Sequence, residues 1–325
     1  MKLRILLTGK NGQVGAELAA LLPSLGEVAA FERQELDIAV PEQIRRAIRS
    51  MQPNIIVNAA AYTAVDQAER EEQQARIINV DAPAVMSEEA KKIGALLVHY
   101  STDYVFDGSG SVPYAETDRT GPLNVYGKTK LAGEEAIRAV GAAHLIFRTA
   151  WVYGTRGRNF LLTMLRLGTE REELRIVRDQ IGAPTWSREI AKGTGRVLQQ
   201  FSAQFSEQVF GKGGEAVSRF AGTYHMTAAG QTNWYEFAKA ILLEAAQMPR
   251  SIPWFEAATK GKPLVARRVT GITTEEYPTP ARRPGYSVLS NARLKQEFGF
   301  ELPAWRLQLR AVFAEGRDKV CRNEV

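Results

Sequence analysis

The chain carries a single cysteine, Cys321, in 325 residues. One thiol closes no intramolecular disulfide and supplies no cysteine-based zinc site, so a reducing, cytoplasmic setting is expected. Histidine is nearly as scarce, and His99, His144 and His225 fall in separate strand-like runs, where packed imidazoles are expected rather than metal ligands. No apolar run reaches the roughly 18 residues that a membrane-crossing helix needs. The opening Met1-Lys2-Leu3-Arg4-Ile5-Leu6-Leu7 is basic then apolar, but its apolar run is too short for a secretory signal. Charge of one sign is not concentrated: 42 basic against 36 acidic residues give +6, and they are scattered. Neither a nucleic-acid partner nor a membrane partner is therefore expected. Glycine (27) and proline (14) are too few for a collagen-like or low-complexity chain. With 45% hydrophobic and 24% charged residues, disorder and coiled coil are excluded, and the length suits one large or two ordinary domains.

What is present is alternation. Leu3 to Thr8 is a compact aliphatic run ending at a glycine, the pattern of a buried strand. Helical spacing follows over Gly12 to Leu22. Val28 to Phe31, Ile55 to Asn58, Leu96 to Ser101 and His144 to Arg148 read as further strands. Helices are predicted from Pro41 through Ile48, over Pro83 to Ile93, and over Lys128 to Val140 with Glu134 and Glu135 facing solvent. This order predicts an α/β fold, a doubly wound parallel sheet covered by helices on both faces. Past Trp151 the pattern loosens. Asn159 to Leu167, Arg188 to Phe201 and Trp234 to Ala246 look helical, Phe205 to Arg219 reads as an exposed loop, and Ser251 to Pro284 holds several prolines and little periodicity. Residues 1–150 are expected to form the dinucleotide-binding domain, with later segments free to return to it. Residues 151–325 are expected to form a smaller, irregular α/β substrate lobe.

The first strand runs into Gly9-Lys10-Asn11-Gly12-Gln13-Val14-Gly15, a G-x-x-G-x-x-G turn between strand and helix. The first glycine permits the turn, the second lets backbone N–H groups approach a pyrophosphate, and the third allows close packing of helix on strand. The helix start then offers free N–H groups and partial positive charge to phosphate. A Rossmann-type dinucleotide site follows. At the end of the second strand a carboxylate would bind a ribose 2′-hydroxyl and an arginine a 2′-phosphate. This chain has both, Glu32 and Arg33, which leaves NADPH and NADH open, with a lean to NADPH through Arg33. Asp37 and Ile38 stand where they would flank adenine. The small residues of Asn58-Ala59-Ala60-Ala61-Tyr62 would let the cofactor's central part lie against the backbone.

Tyr126 and Lys130 form Y-x-x-x-K, an i, i+4 spacing that puts both on one helix face. A phenol is a poor acid near neutrality, and a nearby ammonium would lower its pKa. Tyr126 would then donate a proton to a carbonyl oxygen as hydride reaches its carbon, while Lys130 bonds the nicotinamide ribose. Lys128 is expected on the surface. The fourth strand ends in Ser101-Thr102-Asp103-Tyr104, at the edge where such sheets bind ligands, so the Thr102 hydroxyl would polarise the same carbonyl.

GKNGQVG (9–15), VNAAAYTAVDQAE (57–69), VHYSTDYVFDG (98–108), PLNVYGKTKLAGE (122–134), FRTAWVYG (147–154), DQIGAPT (179–185) and YPTPARRPGYS (277–287) span nearly the whole chain. In these segments the chain resembles the dTDP-4-dehydrorhamnose reductase family of the extended short-chain dehydrogenase/reductase superfamily. The resemblance implies reduction of a nucleotide-linked 4-keto sugar by NAD(P)H, in the synthesis of a rhamnose donor for cell-surface polysaccharides. It implies that Thr102, Tyr126 and Lys130 are catalytic and that Gly12, Gln13 and Val14 lie at the pyrophosphate. Val65, Asp103, Tyr104 and Trp151 would lie at the sugar, and Gln180, Pro184 and Arg283 near the nucleotide diphosphate. Related 4,6-dehydratases place Asp-Glu after the threonine; here the residues are Asp103 and Tyr104, so the elimination pair is incomplete. Some relatives carry Mg²⁺ at a subunit contact. Glu17 stands where one ligand would be, but Thr185 to Glu189 offers no acidic pair, and no metal site is expected. The stretches Phe205 to Arg219 and Lys260 to Arg268 depart from the family pattern. Two other readings share this fold: a non-catalytic regulatory subunit of the methionine adenosyltransferase type, and another nucleotide-sugar epimerase or reductase. A homodimer is the ordinary expectation for a soluble oligomer.

Overall fold

Strands whose residues are aliphatic on both sides need cover on both sides, and the computed structural model, which describes residues 3–205 and 220–321, supplies it. The chain runs β1 (Leu3–Thr8), α1 (Gln13–Leu21), β2 (Gly26–Phe31), α2 (Pro41–Met51), β3 (Ile55–Asn58), α3 (Val65–Ala68), α4 (Glu72–Arg76), α5 (Ala82–Ile93), β4 (Leu96–Thr102), α6 (Val125–Val140) and β5 (His144–Thr149). It continues through β6 (Val152–Tyr153), α7 (Phe160–Glu170), β7 (Glu173–Val177), β8 (Ile181–Gly182), β9 (Thr185–Trp186), α8 (Ser187–Phe205), β10 (Gly222–His225), β11 (Ala228–Ala229) and β12 (Thr232–Asn233). The last elements are α9 (Trp234–Ala245), α10 (Pro253–Thr259), β13 (Arg268–Ile272), α11 (Ala292–Phe298), β14 (Leu302–Ala304) and α12 (Trp305–Cys321).

Six strands form one sheet in the order β10-β5-β4-β3-β1-β2, every pair parallel. The two-residue alternation sorts their side chains. Ile5, Leu7, Ile55, Val57, Leu96 and Val98 point to one face, under α1, α8 and α11. Leu6, Ile56 and Leu97 point to the other, under α2 and α5. From β1 the chain builds outward to β2 on one side and to β3, β4 and β5 on the other, so the strand order reverses beside β1. In open α/β sheets ligands bind at such a reversal, outside the strands' C-terminal ends. β10 comes from the later part of the chain and completes the sheet beside β5.

The second half has its own core, built from Tyr153, Leu161, Leu165, Trp186, Phe237, Ile241 and Phe313. Its sheets are small: β13 pairs with β7 in parallel, and β12 with β8 antiparallel. The stretch expected to be irregular, Ser251 to Pro284, thus contains a helix, α10, and a strand, β13. The helical pattern also begins earlier than Pro83: α4 leads into a π-helical turn, Ile77–Asp81, and on into α5. The expected loop Phe205 to Arg219 lies, after its first residue, outside the described residues.

One expectation fails outright. Glu134 does not face solvent; it is fully buried, and its carboxylate accepts two hydrogen bonds from Arg148 on β5, at 2.9 and 2.7 Å. A buried carboxylate needs such a partner. The fork opposite holds its pKa below the ordinary carboxylate value although burial pushes it up. Glu135 is exposed, as is Lys128.

Candidate active site

β4 ends at Thr102, and a short 3-10 turn, Asp103–Val105, follows. The Thr102 hydroxyl accepts the Tyr104 N–H at 3.2 Å and donates to Asp103 Oδ1 at 3.0 Å. Burial raises the Asp103 carboxyl to about 6 against the hydrogen bonds from Ser287 and Thr102. Helix α6 starts three residues before the predicted Lys128, because Asn124 caps it: the Asn124 side chain accepts the Gly127 N–H at 2.8 Å. Tyr126 therefore sits in the first turn. Gly127 beside it lets the helix approach the Thr102 turn, since a Cβ there would overlap the Tyr104 carbonyl oxygen. The Tyr126 and Tyr104 rings meet edge to face at 5.7 Å, and Thr102 lies beside the Tyr126 phenol and lowers its pKa against burial.

One turn on, Lys130 is 1% exposed. Its ammonium does not reach for Tyr126: Nζ donates to the Tyr100 carbonyl at 2.6 Å and lies 3.0 Å from His99 Nε2. Burial lowers Lys130 to about 8, with Glu134 opposing. The expected lowering of the phenol by this ammonium is accordingly not seen. Burial pushes Tyr126 up to about 12, against the effect of Thr102, and keeps it protonated. That is the form a proton donor must have.

The glycine turn lies beside this group. Gly9 has a positive φ of 76°, and a Cβ on it would come within 2.8 Å of the Ala60 nitrogen. A Cβ on Gly15 would overlap the Gly9 carbonyl oxygen. The turn thus lies bare-backboned against Ala59 and Ala60. Val14 packs on the adjoining core. Gln13 reaches the second half of the chain, donating to the Val152 carbonyl at 3.4 Å and accepting from Asn159 at 2.9 Å. At the end of β2, Glu32 accepts from the Asn11 side chain, while Arg33 is exposed and 3.5 Å from Asp37. Ile38 is buried with Ile44 and Ile48. Ala61 is half-buried, and the Tyr62 backbone N–H donates to Asn79 at 2.9 Å.

Trp151 has a left-handed backbone, φ 47°, which is uncommon outside glycine and tends to persist at sites where the surroundings enforce it. Its ring lies flat on Trp234, with centroids 3.4 Å apart and planes within 6°. The Trp234 indole N–H donates to Gln180 at 3.2 Å, and Gln180 in turn donates to Thr274 at 3.1 Å. Pro184 is buried nearby in the chain. Trp234 escaped sequence reading; its signal was the Asn233 cap that places an indole at a helix start. Arg283 is gripped by Asp66, with its two terminal nitrogens 2.9 and 2.7 Å from the carboxylate oxygens. That bidentate pair, also unforeseen, ties the loop after β13 to Val65 and α3, and Arg283 holds the Asp66 carboxyl below its ordinary pKa.

Among the described residues no three histidine, cysteine or acidic side chains converge as a metal site. Glu17 accepts from Arg188 at 2.8 Å, and Arg188 also meets Glu315.

The family model described as RmlD substrate binding domain matches residues 2–317. A dTDP-4-dehydrorhamnose reductase of Burkholderia thailandensis is 48% identical over 304 residues, which cover 94% of this chain and 96% of that one. That of Escherichia coli strain K12 is 43% identical, covering 96% and 98%. The crystal structure of the Bacillus anthracis dTDP-4-dehydrorhamnose reductase in complex with NADP superimposes with a TM-score of 0.82 at 34% identity, covering 97% of this chain and 100% of that one.

Proposed function

Because the chain belongs to the RmlD substrate binding domain family, we propose that it reduces the 4-keto group of dTDP-4-dehydro-β-L-rhamnose, giving dTDP-β-L-rhamnose. The reductant is a nicotinamide cofactor, NADPH in preference to NADH. The observation that carries this reading is the convergence of Thr102, Tyr126 and Lys130 at the C-terminal end of β4, beside the glycine turn.

The residues present suit such a cofactor. Gly9, Gly12 and Gly15 let the turn pack backbone against backbone, which keeps it tight at the start of α1, where a pyrophosphate would bind. Arg33, exposed at the end of β2, suits a 2′-phosphate, and its lean toward Asp37 is a surface contact that a phosphate would displace. Once bound, the cofactor supplies the hydride that C4 of the sugar receives. The protein handles the proton. Tyr126, kept neutral by burial, donates its hydroxyl hydrogen to the ketone oxygen, and the O–H bond of the product forms as that of the phenol breaks. Thr102, next to the Tyr126 phenol, lends a second polar contact at the same oxygen. Lys130 supplies positive charge behind the phenolate.

The aromatic surface of Tyr104 and Trp151, with Val65, suits the methyl side of a deoxysugar. We assign Gln180, Pro184 and Arg283 to the nucleotide end, which makes residues 151–325 the main nucleotide-sugar lobe. We assign the reaction to the cytoplasm, on the single cysteine of the sequence. The test is Tyr126→Phe, which should lower kcat by at least about 100-fold, the lower end for a positioned acid. Turnover close to wild type would remove the proton-donor role.

A further inference from the structure

No step above uses the platform on which Trp151 rests. The Trp151 backbone is left-handed, and its carbonyl accepts the Thr185 N–H at 3.3 Å. Its indole lies flat on Trp234, and a Cβ on Gly182 of β8 would overlap the same ring. Such a backbone persists only where the surroundings over-determine it. The Trp151 side chain is nevertheless only half-buried, so part of it stays accessible.

Trp234 is itself seated on the core of the second half. β12 pairs antiparallel with β8, Thr232 opposite Gly182 and Asn233 opposite Ile181, so the pairing delivers the next residue, Trp234, beside Trp151. The Asn233 side chain caps α9 by accepting the Glu236 N–H at 2.8 Å. The Phe160 ring of α7 lies 4.5 Å from the Trp234 ring, and the Phe237 ring 6.5 Å. The Trp234 N–H donates to the buried Gln180 at 3.2 Å and so stops the indole turning in its own plane. A column of rings thus runs from that core through Trp234 to Trp151.

We propose that Trp234 is a positioning residue: it holds Trp151 as a fixed wall against the C5 methyl group of the sugar and thereby sets the affinity for a deoxysugar. The proposal rests on the reductase reading for the identity of the sugar. An unsupported indole turns about two side-chain bonds and must be ordered when ligand binds. The stack orders it beforehand, so that cost does not fall on binding. The wall touches no reacting atom and is the same in the ground and transition states, so its loss belongs in KM and not in kcat.

Two variants and a spectrum test it. Trp234→Leu fills much of the space without a flat ring, and Trp234→Phe keeps a ring without the N–H. The leucine variant should raise KM for the nucleotide-linked 4-keto sugar at least about 10-fold, the lower end of what one methyl group is worth in an apolar pocket. The phenylalanine variant should restore most of that loss. A KM for Trp234→Leu within about twofold of wild type, or a loss carried by kcat, overturns the proposal. In a chain already carrying Trp151→Leu, Trp234→Leu should add almost nothing to KM; a full second loss shows an effect that bypasses Trp151 and overturns it as well. The spectrum needs neither variant nor turnover. In tryptophan-labelled wild-type protein, the Trp151 and Trp234 ring protons should show a nuclear Overhauser contact before any ligand is added, and its absence overturns the platform even where the leucine variant fails to fold. Absence of turnover in the wild-type protein instead sinks the reductase reading, and the Overhauser contact still decides whether Trp234 holds Trp151.

Discussion

Gly127→Ala separates positioning from chemistry, because the substitution adds one methyl group to no reacting residue. The new Cβ would overlap the Tyr104 carbonyl oxygen and stand 3.0 Å from Pro122 Cβ. Restoring an ordinary carbon–oxygen separation takes a shift of about 1 Å between the start of α6 and the Thr102 turn. Backbone faces the new atom, so no flexible side chain can yield instead. Overpacking of this size costs about 1–3 kcal/mol, and replacing glycine by alanine within a helix returns roughly 0.8–1.0 kcal/mol. The net stability loss is then about 0–2 kcal/mol, and the protein stays folded. Tyr126 is the residue next to the clash, and a misplacement of about 1 Å costs on the order of 100-fold in rate. Steady-state kcat should thus fall about 100-fold while the urea midpoint moves little. A kcat within about threefold of wild type would refute the claim that the close approach of α6 to Tyr104 places the phenol. A fall that merely tracked the unfolded fraction would refute it equally.

Three further outcomes are expected. Glu134→Ala leaves the Arg148 guanidinium buried without its carboxylate and should cost about 3–5 kcal/mol in urea unfolding; a loss under about 1 kcal/mol would show that the pair contributes little. Arg33→Ala should raise KM for NADPH and leave KM for NADH unchanged, and equal effects on both would remove Arg33 from the cofactor site. Glu89 is buried, and Arg49 and then Lys92 hold its carboxyl near 2, below its unfolded value of 4.5. Its stabilisation is therefore complete above about pH 4.5 and is lost as pH falls toward 2, so the stability difference between wild type and Glu89→Gln should shrink across that window.

Much of this was legible because it is local. The bounds of β1 and β3 follow from short, mainly aliphatic runs, and the glycine turn and the Tyr126 and Lys130 spacing are short-range patterns. What was not legible depends on register between elements distant in sequence. Glu134 reads as solvated beside Glu135, because nothing local announces that Arg148 on the adjacent strand points at it. Asp66 and Arg283 are 217 positions apart, and only the folded chain makes them a bidentate pair. Trp151, in the bend after β5, carried a pocket signal alone, while the indole stacked on it belongs to helix α9. The pairing of β13 with β7 was hidden by prolines, which mask the periodicity around a strand without breaking it. The expected effect of Lys130 on the phenol failed because strand β4, not the helix, claims its nitrogen.

The late arrival of β10 has a consequence for how the protein is made. β5 ends at Thr149 and its outer neighbour begins at Gly222, 222 − 149 = 73 positions further on. At roughly 5–20 residues per second, the ribosome needs several seconds to deliver that strand. Throughout that interval the nascent first half presents β5 as an open row of amides and carbonyls, which any extended segment can join. Biosynthesis thus passes through a sticky half-built stage. Chaperone demand and inclusion-body formation should respond to the translation speed of codons 150 to 221 more than to the stability of the finished enzyme.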